Sequence, residues 1–151
     1  MAKKYKYYYA EANYGQSEIN AVLKVLNNQK HYLMGGKQTL KLEKEVSNLF
    51  DKKYGLMTNS GSSSNLIAIN SFQFKKGSEI ITPALTFSTT VSPIVQNGLV
   101  PAFVDININT LQIDTQLVEN AINNKTVAIM VPNLIGNIAD WKKLRLIANK
   151  H

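Results

Sequence analysis

The sequence predicts an α/β fold: a three-layer sandwich whose mostly parallel sheet is covered by helices on both faces. Three observations carry that expectation. Short, largely apolar runs, such as EIIT at 79–82, VPAFVD within 99–105 and VAIMV at 127–131, alternate with stretches of helical periodicity. Strands covered on both faces read as continuous apolar runs, because neither side of the pleat meets water. Finally, glycine, proline and asparagine fall between the runs, where the chain has to turn.

Taken in order, Ser17 is expected to cap a first helix reaching Asn27, with Ile19, Val22, Leu23 and Leu26 on one face. His31 to Gly36 breaks the pattern and reads as a loop, with His31 as a surface residue. A second amphipathic helix is expected from Thr39 to Phe50, with Leu42, Val46, Leu49 and Phe50 inward. The alternation follows: strand Tyr54–Thr58, helix Ser62–Phe74, strand Glu79–Thr82 bounded by Gly77 and Pro83, and helix Ser88–Gln96 containing Pro93. Next come strand Leu99–Asp105, with Asp105 as a turn former, and helix Thr115–Asn123 capped by Thr115. Strand Val127–Val131 and helix Asp140–Asn149, with Leu144, Ile147 and Ala148 inward, complete the pattern. The alternation ends on a helix where such a pattern supplies another strand, so residues 1–151 are expected to be the N-terminal portion of a longer domain.

A chain of 151 residues with 44% hydrophobic content can bury a core, and one domain is expected. No apolar run is long enough to span a bilayer, and MAKKYKYYYAEANYG lacks the aliphatic centre of a signal peptide. Without cysteine there is no disulfide framework or thiolate metal site, which suits a reducing cytoplasm. No metal site is expected. The net charge of +7 raises the question of nucleic acid. The lysines are scattered, however, and Arg145 is the single arginine, the residue type best suited to bidentate phosphate and guanine contacts. Only weak, nonspecific binding is expected.

The stretch NSGSSSN at 59–65 separates two segments that favour burial. Between a strand and a helix, this composition suits an anion. Ligands of open α/β sheets bind beyond the carboxyl ends of the strands, where helix N-termini present free N–H groups and a partial positive charge. Gly61 allows close approach, and Ser62 and Ser63 add amide and hydroxyl donors without bulk. The alternative is a plain serine-rich helix cap. Neither G-x-G-x-x-G nor a Gly-Lys-Ser/Thr phosphate loop is present.

The blocks TNSGSSSNL, GSEIITPALTFSTTVSPIVQNGLVPAFVDININTLQID and VAIMVPNLIGN, in that order, resemble the DegT/DnrJ/EryC1/StrS sugar aminotransferase family. These are pyridoxal-phosphate enzymes of fold type I, and the resemblance runs from about Tyr14 to His151. Typical sugar aminotransferases carry loops more like SGTAAL and FVATANAI. SGSSSNL, FSTTVSPIVQNGL and NLIGN are more similar to the branch that removes the 3-hydroxyl from nucleotide-linked 4-keto-6-deoxyhexoses. Ser64 and Ile138 depart from the family pattern, which usually has alanine and proline there; neither is expected to touch the cofactor chemistry.

The resemblance implies that Gly61, Ser62 and Ser63 hold the phosphate of pyridoxal or pyridoxamine 5′-phosphate, and that Phe87 stacks on its ring. The other reading of Phe87 is a core aromatic. Asn133 either reaches the cofactor 3-oxygen or the sugar, or forms a turn ahead of Gly136. Met34, Gly35 and Ser88 are candidates for the substrate entrance.

By resemblance, the aspartate that pairs with the pyridine nitrogen lies past this span. So does the residue at the reactive carbon, lysine in aminotransferases and histidine in 3-dehydratases. No catalytic residue is therefore expected within 1–151, and the span alone is expected to be inactive. Lys75, Lys76 and Lys125 sit in predicted turns, and His151 ends a helix. The implied partners are a nucleotide-linked keto-deoxysugar and a second copy in a homodimer, with no membrane.

Overall fold

In the computed structural model, which describes residues 12–28 and 33–151, the first of two compact units ends at Met57. It holds helices α1 (Gln16–Asn28) and α2 (Lys37–Leu49). Ser17 is not the cap of α1. It lies in the first turn, where its hydroxyl and the Gly15 N–H both donate to the Glu18 carboxylate, at 2.9 and 2.6 Å. The apolar faces run as the periodicity predicts, but the expectation that they point inward is corrected. Ile19, Val22, Leu23 and Leu26 of α1 are exposed, as are Leu42, Val46, Leu49 and Phe50 at α2. Periodicity marks which face is apolar and leaves open what covers it. The loop residue His31 lies outside the described residues.

The segment Tyr54–Thr58 is not a strand. The Met57 N–H donates to the Glu43 carboxylate at 2.7 Å, and Tyr54 and Leu56 are exposed. A run of β-forming residues becomes a strand only when a neighbour completes its ladder. Gly55 in this segment lies against the carbonyl of Glu43, where any side chain would collide with α2's backbone.

The second unit, Thr58–His151, contains α3 (Gly61–Ser71), β1 (Glu79–Pro83), α4 (Ser88–Gln96) and β2 (Val100–Val104). It continues with β3 (Ile106–Asn107), β4 (Gln112–Ile113), α5 (Thr115–Ala121), β5 (Thr126–Ile129) and α6 (Trp141–Lys150). β1 is the central strand of a parallel sheet in the order β2-β1-β5, with Ile80 opposite Pro101 on one side and Ala128 on the other. Pro101 lacks an N–H and sits on β2, at the edge of this sheet, where a missing donor is tolerated.

Successive residues of β1 serve opposite faces, as the pleat requires. Ile80 packs with Ile69 of α3, Ile94 of α4 and Leu99; Ile81 packs with Val104, Ile113, Val118 of α5 and Leu144 and Ile147 of α6. This is the predicted three-layer arrangement. Burying side chains of this size stabilises by about 1.5–3 kcal/mol each.

Several boundaries moved. α3 stops at Ser71 instead of Phe74, because the chain turns at Gln73 (φ +51°) and the Phe72 and Phe74 rings stack 5.2 Å apart. The cap of α5 is Asp114, not Thr115; its carboxylate accepts from the Gln116 N–H at 2.9 Å. Asp140 caps α6 in the same way, through Lys143. Leu144 and Ile147 are buried as expected, but Ala148 is exposed. The antiparallel hairpin β3–β4 was not anticipated, since two-residue strands are too short to show a period. Asp105 lies between β2 and β3, its carboxylate accepting from the Ile106 N–H at 2.8 Å, while the turn comes later, at 108–111.

Candidate functional site

The site begins at the polar stretch after Met57. Ser60 caps α3: its hydroxyl accepts from the Ser63 N–H at 3.1 Å, and its carbonyl accepts from the Ser64 N–H at 3.0 Å. That leaves the N–H groups of Gly61 and Ser62, the first two of the helix, without a hydrogen-bond partner among the described residues. A Cβ placed on Gly61 would meet nothing within 4 Å, so the chain is open on that side of Gly61. Ser63 contributes differently from the expectation, because its amide is already taken by Ser60.

Thr58 and Ser64 brace this turn. Their hydroxyls share a hydrogen bond of 2.6 Å, and the Thr58 hydroxyl also donates to the Ser60 carbonyl at 2.8 Å. Ser64, a departure from the family pattern, thus fastens the loop. Sequence reasoning missed Ser60 and Thr58 as structural parts of the site. The signal was available in Ser60, an N-cap residue type one position ahead of the helix.

α3 and α4 lie side by side and run the same way. Near their starts, Asn65 Nδ2 donates to the Thr89 carbonyl at 3.1 Å; near their ends, Asn70 Nδ2 donates to Asn97 Oδ1 at 2.9 Å. The two N-termini are therefore neighbours at the carboxyl end of β1. Phe87 is the N-cap residue of α4, and it is 62% exposed. Among the described residues its ring is therefore not packed into a core. Ser88, beside it, is also exposed.

Residues 58–66 and 84–92 contain no ionisable side chain. The positive potential here comes from backbone dipoles, which suits an anion and supplies no acid or base. The two carboxylates held below their ordinary range, Glu18 and Glu119, lie elsewhere in the sequence.

The Asn133 side-chain oxygen accepts from the Ala139 N–H at 3.1 Å and from the Trp141 indole N–H at 3.0 Å. This is the turn-forming role of the two expected for it. Its Nδ2 has no protein acceptor among the described residues and stays available. The turn it closes holds Ile135 at φ +51°, an unusual conformation for a β-branched residue, next to Gly136 at φ +81°. Met34 and Gly35 form a turn ahead of α2, with Met34 95% exposed and Gly35 at φ +66°. Among the described residues there is no cluster of metal-ligating side chains, and no helix is long and apolar enough to cross a membrane.

With this geometry in place, comparison with known proteins is decisive. Residues 13–151 match the DegT/DnrJ/EryC1/StrS aminotransferase family. The chain belongs to that family. It is 35% identical over 144 residues to GDP-4-keto-6-deoxy-D-mannose 3-dehydratase of Yersinia pseudotuberculosis, covering 91% of this chain and 36% of the relative. It is 38% identical to the enzyme of the same name from Escherichia coli O55:H7, covering 91% of this chain and 37% of that one. The solved E. coli 3-dehydratase with bound hydrated PLP superposes with a TM-score of 0.83 at 35% identity, over 93% of this chain and 37% of that chain. The chain thus spans a little over a third of the length of these relatives, and its α/β architecture is that of a fold type I PLP enzyme.

Proposed function

We propose that this chain is the cofactor-cradling N-terminal part of a PLP/PMP-dependent enzyme that removes the C3 hydroxyl from a CDP- or GDP-linked 4-keto-6-deoxyhexose. The observation that carries this reading is the pair of neighbouring helix N-termini, one with two free N–H groups and the other with an exposed aromatic ring. The likeness to 3-dehydratases supports the reaction type.

The residues present fit the cofactor. The Gly61 and Ser62 amides, with the Ser62 and Ser63 hydroxyls, bind the phosphate dianion, each hydrogen bond to it contributing about 1.5–3 kcal/mol. Phe87 covers one face of the pyridine ring and keeps water from it. Asn133 offers Nδ2 to the 3-oxygen, while Ser88 belongs to the substrate entrance. When bound, the pyridine ring supplies an electron sink for breaking bonds next to the sugar carbonyl. The groups named here bind and orient, and none of them moves a proton. The enzyme works as a homodimer in the cytoplasm, and its product feeds deoxysugar synthesis for surface polysaccharide.

The test is binding. Pyridoxamine 5′-phosphate at saturation is expected to raise the melting temperature by several degrees, because a ligand that binds only the folded state stabilises it. Ser62→Asp places a carboxylate where the phosphate sits and is expected to weaken binding at least about tenfold. The same change leaves the fold as stable or slightly more so, since an acid in the first helical turn favours the dipole. No melting shift, with Ser62→Asp equal to wild type, would leave only a serine-rich cap.

The family description favours one second reading, a glutamate-dependent sugar aminotransferase. Sequencing the gene past codon 151 separates the two, since lysine at the reactive carbon means transfer and histidine means dehydration.

A further inference from the structure

The cradle has two halves on two helices, and something must set the distance between them. Asn65 lies in the second turn of α3, half-buried, at a helical position where asparagine is intrinsically unfavourable. Its amide donates to the carbonyl of Thr89, two residues after Phe87, at 3.1 Å. In an unbroken helix that carbonyl would accept from the N–H four residues on. Here that residue is Pro93, which is fully buried and has no N–H. Thr89 is thus left with an acceptor that its own helix cannot satisfy, and α3 supplies the missing donor. The far ends of the two helices are joined through side chains. Asn97 Nδ2 donates to the Pro93 carbonyl at 2.8 Å, while Asn97 Oδ1 accepts from Asn70.

We infer that Asn65 is a positioning residue: by filling the acceptor orphaned by Pro93, it fixes the first turn of α4, and with it the Phe87 ring, at a set distance from the Gly61 and Ser62 amides. It touches no ligand. Its effect is to let one molecule meet the phosphate half and the ring half of the cradle together. This rests on the cofactor reading proposed above. The proline is part of the device, because it removes the N–H that α4 would otherwise bring to the Thr89 carbonyl, leaving that oxygen to Asn65.

The test uses two probes and two variants of the chain. Inorganic phosphate reports on the amides alone. Pyridoxamine 5′-phosphate reports on amides and ring together, and its induced circular dichroism reports whether the ring is held in one orientation. Asn65→Leu removes the donor at similar volume. Asn65→Leu combined with Pro93→Ala also removes it, but returns an N–H to the Thr89 carbonyl from within α4.

With Asn65→Leu, phosphate affinity is expected to stay within about twofold of wild type. Pyridoxamine phosphate affinity should fall about three- to tenfold, the worth of one lost ring contact, and the dichroism should disappear. The double variant should regain the wild-type melting temperature without regaining the dichroism. If Asn65→Leu keeps the wild-type dichroism, or if the double variant restores it together with stability, Asn65 merely satisfies a carbonyl and the inference is overturned. Should Asn65→Leu fail to fold, the double variant decides by the same readout. A wild-type chain that binds neither probe overturns the cofactor reading itself, before any substitution is made.

Discussion

Ile19, Val22, Leu23 and Leu26 recur along α1 much as Leu144 and Ile147 recur along α6, yet the first set is exposed and the second buried. The same contrast separates the two units. α1 contributes no buried residue and α2 only Ser47, whereas the unit from Thr58 onward holds two apolar clusters on opposite faces of β1. Apolar periodicity appears in both. What differs is an opposing surface: the sheet offers each helix a flat apolar face at packing distance, and the first unit offers none among the described residues. Amphipathic pattern is therefore a statement about what a helix needs, and burial is a statement about what it has found.

The strongest test sets one residue from each unit side by side. Ile81 is 0% exposed and Leu23 is 49% exposed. Ile81→Ala is expected to cost about 2–5 kcal/mol in denaturant unfolding. Leu23→Ala should cost less than about 1 kcal/mol. Equal losses would mean that α1's face is covered in solution, and the contrast would fail.

A smaller effect is expected at the helix caps. Ser60→Ala removes the acceptor for the Ser63 N–H and should cost about 1 kcal/mol. It should also weaken phosphate binding, because the loop that aims the Gly61 and Ser62 amides loses its anchor. A loss of stability with unchanged phosphate affinity would separate the cap from the cradle.

The smallest effect concerns pH, and it too has one member in each unit. Glu119 is held below the ordinary carboxylate range by the Lys150 ammonium first and His151 second, and Glu18 by the Gly15 N–H first and the Ser17 hydroxyl second. A lowered acid stabilises above its unfolded value, and that contribution is lost as pH falls through the folded one. Glu119→Gln should therefore flatten the acid limb of melting in the unit that links α5 to α6. Glu18→Gln should flatten the acid loss of amide protection in α1. An acid limb that keeps its slope in Glu119→Gln would show that this pair is solvated to no effect.

Much of the sheet unit was legible in the residues. The strands expected at Glu79–Thr82 and Val127–Val131 formed, with bounds shifted to Glu79–Pro83, which takes in the proline expected to end it, and Thr126–Ile129. The start of α3 was legible as well, since serine and glycine ahead of an apolar run carry a cap signal. The strand expected at Tyr54–Thr58 was not formed, because β propensity in one segment does not provide its neighbour. Thr58 and Asn65 were passed over for a related reason. Their partners lie 6 and 24 positions away, where composition says nothing about contact, whereas Ser60 carried a local cap signal that went unused.

By itself, then, the amino-acid order determined the α/β alternation, the polar cradle at 59–65 and the membership of a cofactor-dependent family, all of which rest on local residue types and their spacing. Only the tertiary structure decided which apolar faces are buried, that Phe87 is exposed at the start of the helix beside α3, and that Asn65 donates to the Thr89 carbonyl. Those facts depend on two segments meeting in space, and burial and hydrogen bonding acquire a sign only once both partners are in place.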